Sequence, residues 1–291
     1  MLKKCLNRVQ ICLFFSLGLI SHTLAAEPLY WSATKAEQTL LIIGSIHVGD
    51  PSMYPLPNKI ESFLATSDGL ISEIDLTQAA SPVLPAAKLS SAQVLSRRQT
   101  DKLSAIFQQY QMPTEALLAS PPWLTALSLQ MKQLSSLGYS SDWGVDQVLT
   151  HQATRLGKPI YPLESVDFQL QLLNALPENG AQILRELIEQ WDEADEIFHC
   201  QIESWKKGDK TKLLSLLDSD EYDQQMIASL LSNRNKDWAK KLNGQLLPPS
   251  GRYLMVVGAL HLIGEDNLPA LLENAGWHVK RLSAPGKAQC P

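Results

Sequence analysis

The sequence predicts an α/β protein: a mixed, largely parallel sheet built from both termini and the centre of the chain, with helical cap segments inserted. Three observations carry this. Apolar, β-favouring runs at "TLLIIGSIH" (39–47) and "YLMVVGALH" (253–261) each end in Gly-x-x-His and a loop holding Gly and Asp. Each run is followed by a helical stretch and another strand, so both ends of the chain read as β-loop-α-β units. Between about 90 and 137, and again from 178 to 246, period-3.6 patterning dominates.

Taken in order, residues 1–26 read as a secretory signal. Lys3, Lys4 and Arg8 precede the apolar run "ICLFFSLGLI", and small residues follow for cleavage after Ala25 or Ala26. Neither Cys5 nor Cys12 suits lipid attachment, and no later stretch approaches the roughly 18 apolar residues of a membrane span. Removing the signal takes those three basic residues and no acid, so the formal charge moves from −5 to −8. An acidic chain without Lys/Arg clusters argues against nucleic acid or anionic membrane as a partner. Export places the mature protein in the periplasm or outside the cell. In that oxidising compartment, Cys200 and Cys290 are candidates to pair.

"LYWSAT" and "TLLIIGSIH" read as a hairpin or adjacent strands, 58–67 as a helix and "DGLISEIDL" (68–76) as a strand. A central piece repeats the theme: helix 145–156 stopped by Gly157, strand 158–164 and helix 166–176. At the C-terminal end, strand 252–258 leads to helix 266–275, a stop at Gly276 and strand 277–282. The expected organisation is one domain over 27–291, its α/β core at about 28–80, 140–176 and 250–284. Helical insertions fill about 88–137 and 178–246, the longest run being 180–209, and "ASPVLPAA" (80–87) is the expected connector. Helical crossovers join parallel strands with right-handed sense, which puts both histidines at the carboxyl edge of one sheet, where open α/β folds bind ligands.

His47 and His261 are therefore the leading candidates for chemistry. Gly44 and Gly258, three residues before each, permit a tight bend and close backbone approach. Neutral imidazole suits Zn, Mn, Fe or Co, although the spacing alone leaves a structural role equally open. Glu73 within "LISEIDL" and Glu164 at the end of "PIYPLES" are carboxylates in apolar strands, and each needs a cation, a donor or water; an exposed strand end is the other reading. Asp50 is placed to orient His47 or to form a turn, and Asp146 to cap a helix or line the site. Arg234 and Asn235 lie on a helix whose exposed face explains such a pair by default. Glu196 and His199 read as a solvated helix face, and His151 and His278 as surface. No nucleophile elbow, phosphate loop or His-Glu-x-x-His pair occurs.

Together, "GSIHVGDPSMYPLP", "ISEIDL", "GVDQVL", "LGKPIYPLES", "RNKDWA" and "GALHLIGEDNLPALLENAGWHVKRL" resemble the TraB/GumN family in its secreted bacterial branch, from about residue 28 to 284. The resemblance implies a fold related to erythromycin esterases and haem-binding ChaN proteins. Through the related Tiki proteins it implies a divalent-metal-dependent peptidase using Mn or Co, with a peptide or protein as substrate. By motif, His47, Glu73 and His261 become the ligands of one divalent ion (Mn, Co, Zn or Fe), and Glu164 the acid of the Leu-Glu segment. Arg234 and Asn235 become the family's Arg-Asn pair, with Arg234 facing inward. The expected mechanism has Glu164 take the proton of a water and Arg234 stabilise the oxyanion. Plasmid TraB relatives are linked to silencing a peptide pheromone, and GumN to polysaccharide genes. A non-enzymatic peptide-, haem- or metal-binding protein, or an accessory factor of envelope or exopolysaccharide assembly, is the alternative.

Overall fold

The computed structural model describes residues 26–78, 83–86, 88–215 and 224–290. The signal segment 1–25, and 80–82 and 87 of the expected connector, lie outside these. Six strands form one sheet: β1 Tyr30–Lys35, β2 Glu37–Ser45, β3 Gly69–Ser72, β4 Ile160–Pro162, β5 Ser250–Gly258 and β6 His278–Arg281. Their order is β4-β3-β5-β2-β1-β6. The β2–β5, β5–β3 and β3–β4 pairs are parallel, and β1 is antiparallel to both β2 and β6. The fold is therefore α/β with a mixed sheet, as the sequence predicts.

The two terminal units interleave. Strand β5 inserts between β2 and β3, so the two strands that end in Gly-x-x-His pair directly, with Gly44 opposite Val257 and Ser45 opposite Gly258. Leu40 to Ile43 and Tyr253 to Val257 are all buried, as continuous apolar strands covered on both faces must be. Alternation divides them. Leu41, Ile43, Leu254 and Val256 face the helices Asn58–Thr66 and Val145–Arg155 and Trp205; Leu40, Ile42, Met255 and Val257 face the helices Asn233–Asn243 and Leu268–Asn274. Each such side chain contributes roughly 1.5–3 kcal/mol by burial.

Three expected elements are shorter than the pattern suggests, the strand at 158–164 being paired only over Ile160–Pro162. The strand at 68–76 ends at Ser72, whose hydroxyl donates to the carbonyl of Ile74 (2.8 Å) as the chain turns. That turn carries Glu73 off the sheet. The run 180–209 is two helices, Ala181–Glu189 and Ala194–Lys206. The break docks Trp191 edge-on against Tyr110, in a third apolar cluster formed by the cap helices Arg97–Gln109, Pro122–Ser136 and Ala181–Glu189.

Cys200 and Cys290 form a disulfide, tying the C-terminal segment to the 194–206 helix. Asp209 reinforces the tie: its carboxylate accepts from the backbone N–H of Ala288 (3.0 Å) and of Lys212 (3.1 Å), with Lys287 at 3.8 Å. Burial raises the Asp209 pKa, but these donors and Lys287 outweigh it and hold the pKa below the usual aspartate value.

Two outcomes follow. Closing a loop across 90 residues, the disulfide contributes about 2–4 kcal/mol, so the Cys200→Ser/Cys290→Ser variant loses that much in a urea melt with intact secondary structure. Because the folded Asp209 pKa is depressed, its stabilisation is fully present above the unfolded aspartate pKa and disappears as pH falls through the folded value. Asp209→Asn therefore lowers Tm at neutral pH, and the gap from wild type closes under acid.

Candidate active site

Close approach of the two strand tips sets the site. A Cβ on Gly44 would stand 2.9 Å from the Cα of Ala259, so a residue larger than glycine forces β2 away from the turn after β5. A Cβ on Gly258 would meet Glu73 Oε1 at 3.3 Å and His261 Cδ2 at 3.5 Å, side-chain atoms able to give a little. Neither glycine has positive φ among the described residues; close packing is the requirement here.

His47 emerges from β2 into a loop pinned from both sides. Trp205 Nε1 donates to the carbonyl of Gly44 (2.8 Å), Val145 N–H donates to Ile46 O (3.0 Å), and Gly49 and Ser140 exchange backbone hydrogen bonds. Gly144 lies so close to the His47 carbonyl that a side chain there would collide. This pinning brings Asp146, in the first turn of the 145–155 helix, to His47, with Oδ2 3.1 Å from Nδ1. Asp50 is placed otherwise. It accepts from the N–H of Ser52 (2.7 Å) and pairs with Lys206 (3.4 Å), so the ring-orienting role falls to Asp146.

The second imidazole is buried. Asn235 Nδ2 donates to the carbonyls of His261 (3.3 Å) and Asp266 (3.0 Å), which makes Oδ1 its acceptor end, 2.7 Å from His261 Nδ1. The proton therefore sits on Nδ1, and Nε2 carries the ring's one lone pair. Trp238 packs on the ring, centroids 4.3 Å apart.

Arg234 ties the acids together. Its Nε donates to both oxygens of Glu164 (2.9 and 3.2 Å), and Nη2 donates to Glu164 Oε2 (2.8 Å) and Glu73 Oε2 (2.6 Å). Nη1 donates to the carbonyl of Leu230 (3.1 Å) and stands 3.2 Å from His261 Nε2. The default reading of Arg234 and Asn235 as an exposed pair is thus corrected: the arginine side chain is only 11 % exposed, and Asn235 is buried. The sheet's carboxyl edge needs a cation between two carboxylates, and this helix supplies it. The inward orientation implied by the family resemblance is the one observed.

Glu164 also accepts from Trp238 Nε1 (2.8 Å) and Gln169 Nε2 (3.1 Å), and Gln169 Nε2 reaches Glu73 Oε2 as well (3.2 Å). Neither Gln169 nor Trp238 was singled out by sequence reasoning. Trp238 had a signal, since it follows Arg234 by four residues on one helix and shares its face. Gln169 had none, because only the fold brings the first turn of the Val166–Asn174 helix over β3. Glu196, His199, His151 and His278 are exposed, as expected.

Charge follows geometry. Desolvation raises the Glu73 pKa, but His261, His47 and Arg234 together with the Gly258 N–H (2.8 Å) reverse this and hold it at about 2. Burial pushes His261 down to about 3, reinforced by Arg234 against the pull of Glu73. For His47, desolvation lowers the pKa, and the hydrogen bond and charge of Asp146, backed by Glu73, raise it to about 9. That side chain is 68 % exposed, so water partly screens its attraction to Asp146. For Arg234, burial lowers the pKa and the two glutamates raise it above the usual value.

His47, Glu73, Arg234 and His261 line one cavity of about 450 Å³, whose opposite wall is apolar: Leu213, Met226, Ile227, Leu230 and Leu231. A π-helical turn, Ala228–Ser232, lies just before Arg234; such turns gather at functional sites. Another cavity, beside Tyr139, His199 and Cys290, is remote from this chemistry.

The family profile described as "TraB/PrgY/gumN family" matches residues 29–281. The chain belongs to this family. It is 32 % identical over 233 residues to "Uncharacterized protein YbaP" of Escherichia coli strain K12, which covers 79 % of the chain and 86 % of that relative. The protein of the same name from Shigella flexneri matches with the same figures. No solved structure matches. Within this family member, the Gly-x-x-His strands are adjacent and Gly44 carries the tighter constraint. Gly44→Ala is therefore expected to cost about 1–3 kcal/mol by overpacking, measured by urea denaturation, and Gly258→Ala distinctly less.

Proposed function

We propose that this cleft belongs to an exported metal-dependent hydrolase acting on peptides, with one divalent ion held by His47, Glu73 and His261. The observation that carries the reading is the pair of imidazoles at neighbouring strand tips. Each has its Nδ1 engaged by a fixed partner, Asp146 or Asn235, and so keeps Nε2 for the cleft. Such outer partners are what orient metal-binding histidines. Glu73 Oε1 stands 3.9 Å from His261 Nε2 with no proton on either atom, a donor pair suited to a shared cation. As the side chains stand, no three His, Cys, Asp or Glu among the described residues are close enough to hold a metal. The donors fit in kind, and their convergence requires Arg234 to shift. The ion, Mn, Co, Zn or Fe, supplies Lewis acidity and a water of lowered pKa.

The chain's own residues do the rest. Asn235 holds the His261 tautomer, and Asp146 orients His47. Arg234, once turned toward substrate, donates to the developing oxyanion. Glu164 is assigned to anchoring Arg234 instead of accepting the proton of water. Its four lone-pair sites are already met by Arg234, Trp238 and Gln169, and only 1 % of its side chain is exposed. The apolar wall at Met226, Leu230 and Leu231 favours apolar side chains in the substrate. Kinship of the fold with erythromycin esterases and ChaN proteins belongs to the same proposal. Export is supported by the disulfide and the signal-like N-terminus, and no helix among the described residues is long and apolar enough to cross a membrane.

A second reading is favoured by the His47–Asp146 hydrogen bond. A histidine so oriented and held protonated by Asp146 is a general acid, and with Arg234 it makes a metal-independent site that donates to substrate oxygens. Metal content decides between them. The first reading expects about one ion per purified chain by mass spectrometry, lost in a folded His47→Ala/His261→Ala variant. No stoichiometric ion under any of the four metals sinks it. Leu230→Asp is expected to raise KM for apolar peptides at least tenfold with kcat little changed, read from steady-state kinetics on a peptide library.

A further inference from the structure

We propose that the Arg234 guanidinium and a divalent cation are alternative occupants of the same His261–Glu73 donor pair, so that the metal-free protein is held closed by a cation of its own. This rests on the metal reading above, and the argument is one of lone pairs. Asn235 fixes the proton of His261 on Nδ1, which leaves the ring a single lone pair, at Nε2. Arg234 Nη1 stands 3.2 Å from that atom. One lone pair accepts a guanidinium proton or a metal, never both. Glu73 adjoins both occupants: Arg234 Nη2 holds its Oε2 at 2.6 Å, while Oε1, which accepts from the Gly258 N–H, stands 3.9 Å from His261 Nε2.

The surroundings are built for an arginine that moves without leaving. Glu164 grips it through Nε and Nη2 and is itself fixed by Trp238 and Gln169, so its hold does not depend on His261. Trp238 lies under the guanidinium, 4.8 Å from centroid to Cζ, a platform on which a planar cation can swing. The Nη1 that must leave His261 already donates to Leu230 O, inside the π-helical turn that adjoins the cavity. Charge runs the same way: the carboxylates of Glu73, Glu164 and Asp146 outnumber the cations Arg234 and His47 around the cavity, and a further cation answers the excess. Glu164 and Gln169 thereby become positioning residues, retaining Arg234 in both states.

The test is calorimetric titration of the metal-stripped mature chain with Zn²⁺ and with Mn²⁺, for wild type, Arg234→Lys and Arg234→Met, each alone and combined with His261→Ala. Lysine keeps a charge for Glu164 and cannot reach both Glu164 and His261, so it reports even if the methionine variant fails to fold. The expected result is at least tenfold tighter binding in both Arg234 variants, abolished by His261→Ala, with a lower metal-free Tm that added metal restores. Tight binding in wild type that needs His261 but is unchanged in the Arg234 variants overturns this inference and leaves the metal reading standing. Enhanced binding that survives His261→Ala also overturns it, since the ion then sits on unpaired carboxylates. No binding in any chain removes both.

Discussion

The parallel pairing of β2 with β5 is the constraint on which the rest depends. Twelve or more intervening residues are needed for any parallel connection, and here some two hundred residues separate the two strands. Their pairing nevertheless places Ser45 against Gly258 and so delivers two histidine-bearing turns to one spot. Without it, the β4-β3-β5 half of the sheet, which presents Glu73 and Glu164, is not joined to the β2 tip that carries His47. The glycine at the end of β2 makes the approach possible by admitting Ala259 against the backbone. The apolar faces of the same strands stabilise what the polar tips do not.

Those tips contribute little net stability. Removing two glutamates and an arginine from water costs several kcal/mol per ion, and their mutual attraction returns that only with near-complete hydrogen bonding. The cluster meets the condition: Glu164 receives Arg234, Trp238 and Gln169, and Glu73 receives Arg234, Gln169 and the Gly258 N–H. A sheet edge could have been closed with apolar side chains at lower cost. Retaining a saturated ionic network beside a cavity holds charged groups where an apolar edge would hold none.

The cap helices do more than cover the sheet. They contribute Arg234, Asn235 and the apolar wall, and the 194–206 helix binds the β2 tip through Trp205 while the disulfide and Asp209 fasten its C-terminal end. Site geometry is thereby coupled to the far end of the chain. The cavity opens beside the π-helical turn that the cap forms just before Arg234.

Local pattern determined a good part of this protein. Uninterrupted apolar runs required buried strands, and glycine three residues before each histidine permitted close backbone approach. Carboxylates inside apolar segments required partners, which marks Glu73 and Glu164, and matching strand-end positions mark His47 and His261. The alternation that splits the strands into two cores is likewise a property of the chain alone. Only the tertiary structure decided that β5 lies between β2 and β3, that Asp146 and not Asp50 holds His47, and that Arg234 turns inward to join both glutamates. It alone brought Gln169 and Trp238 into the network and gave Glu164 four donors in place of a free lone pair. The physical reason is that periodicity fixes which face of an element is apolar, whereas which polar groups meet depends on contacts between residues tens to hundreds of positions apart.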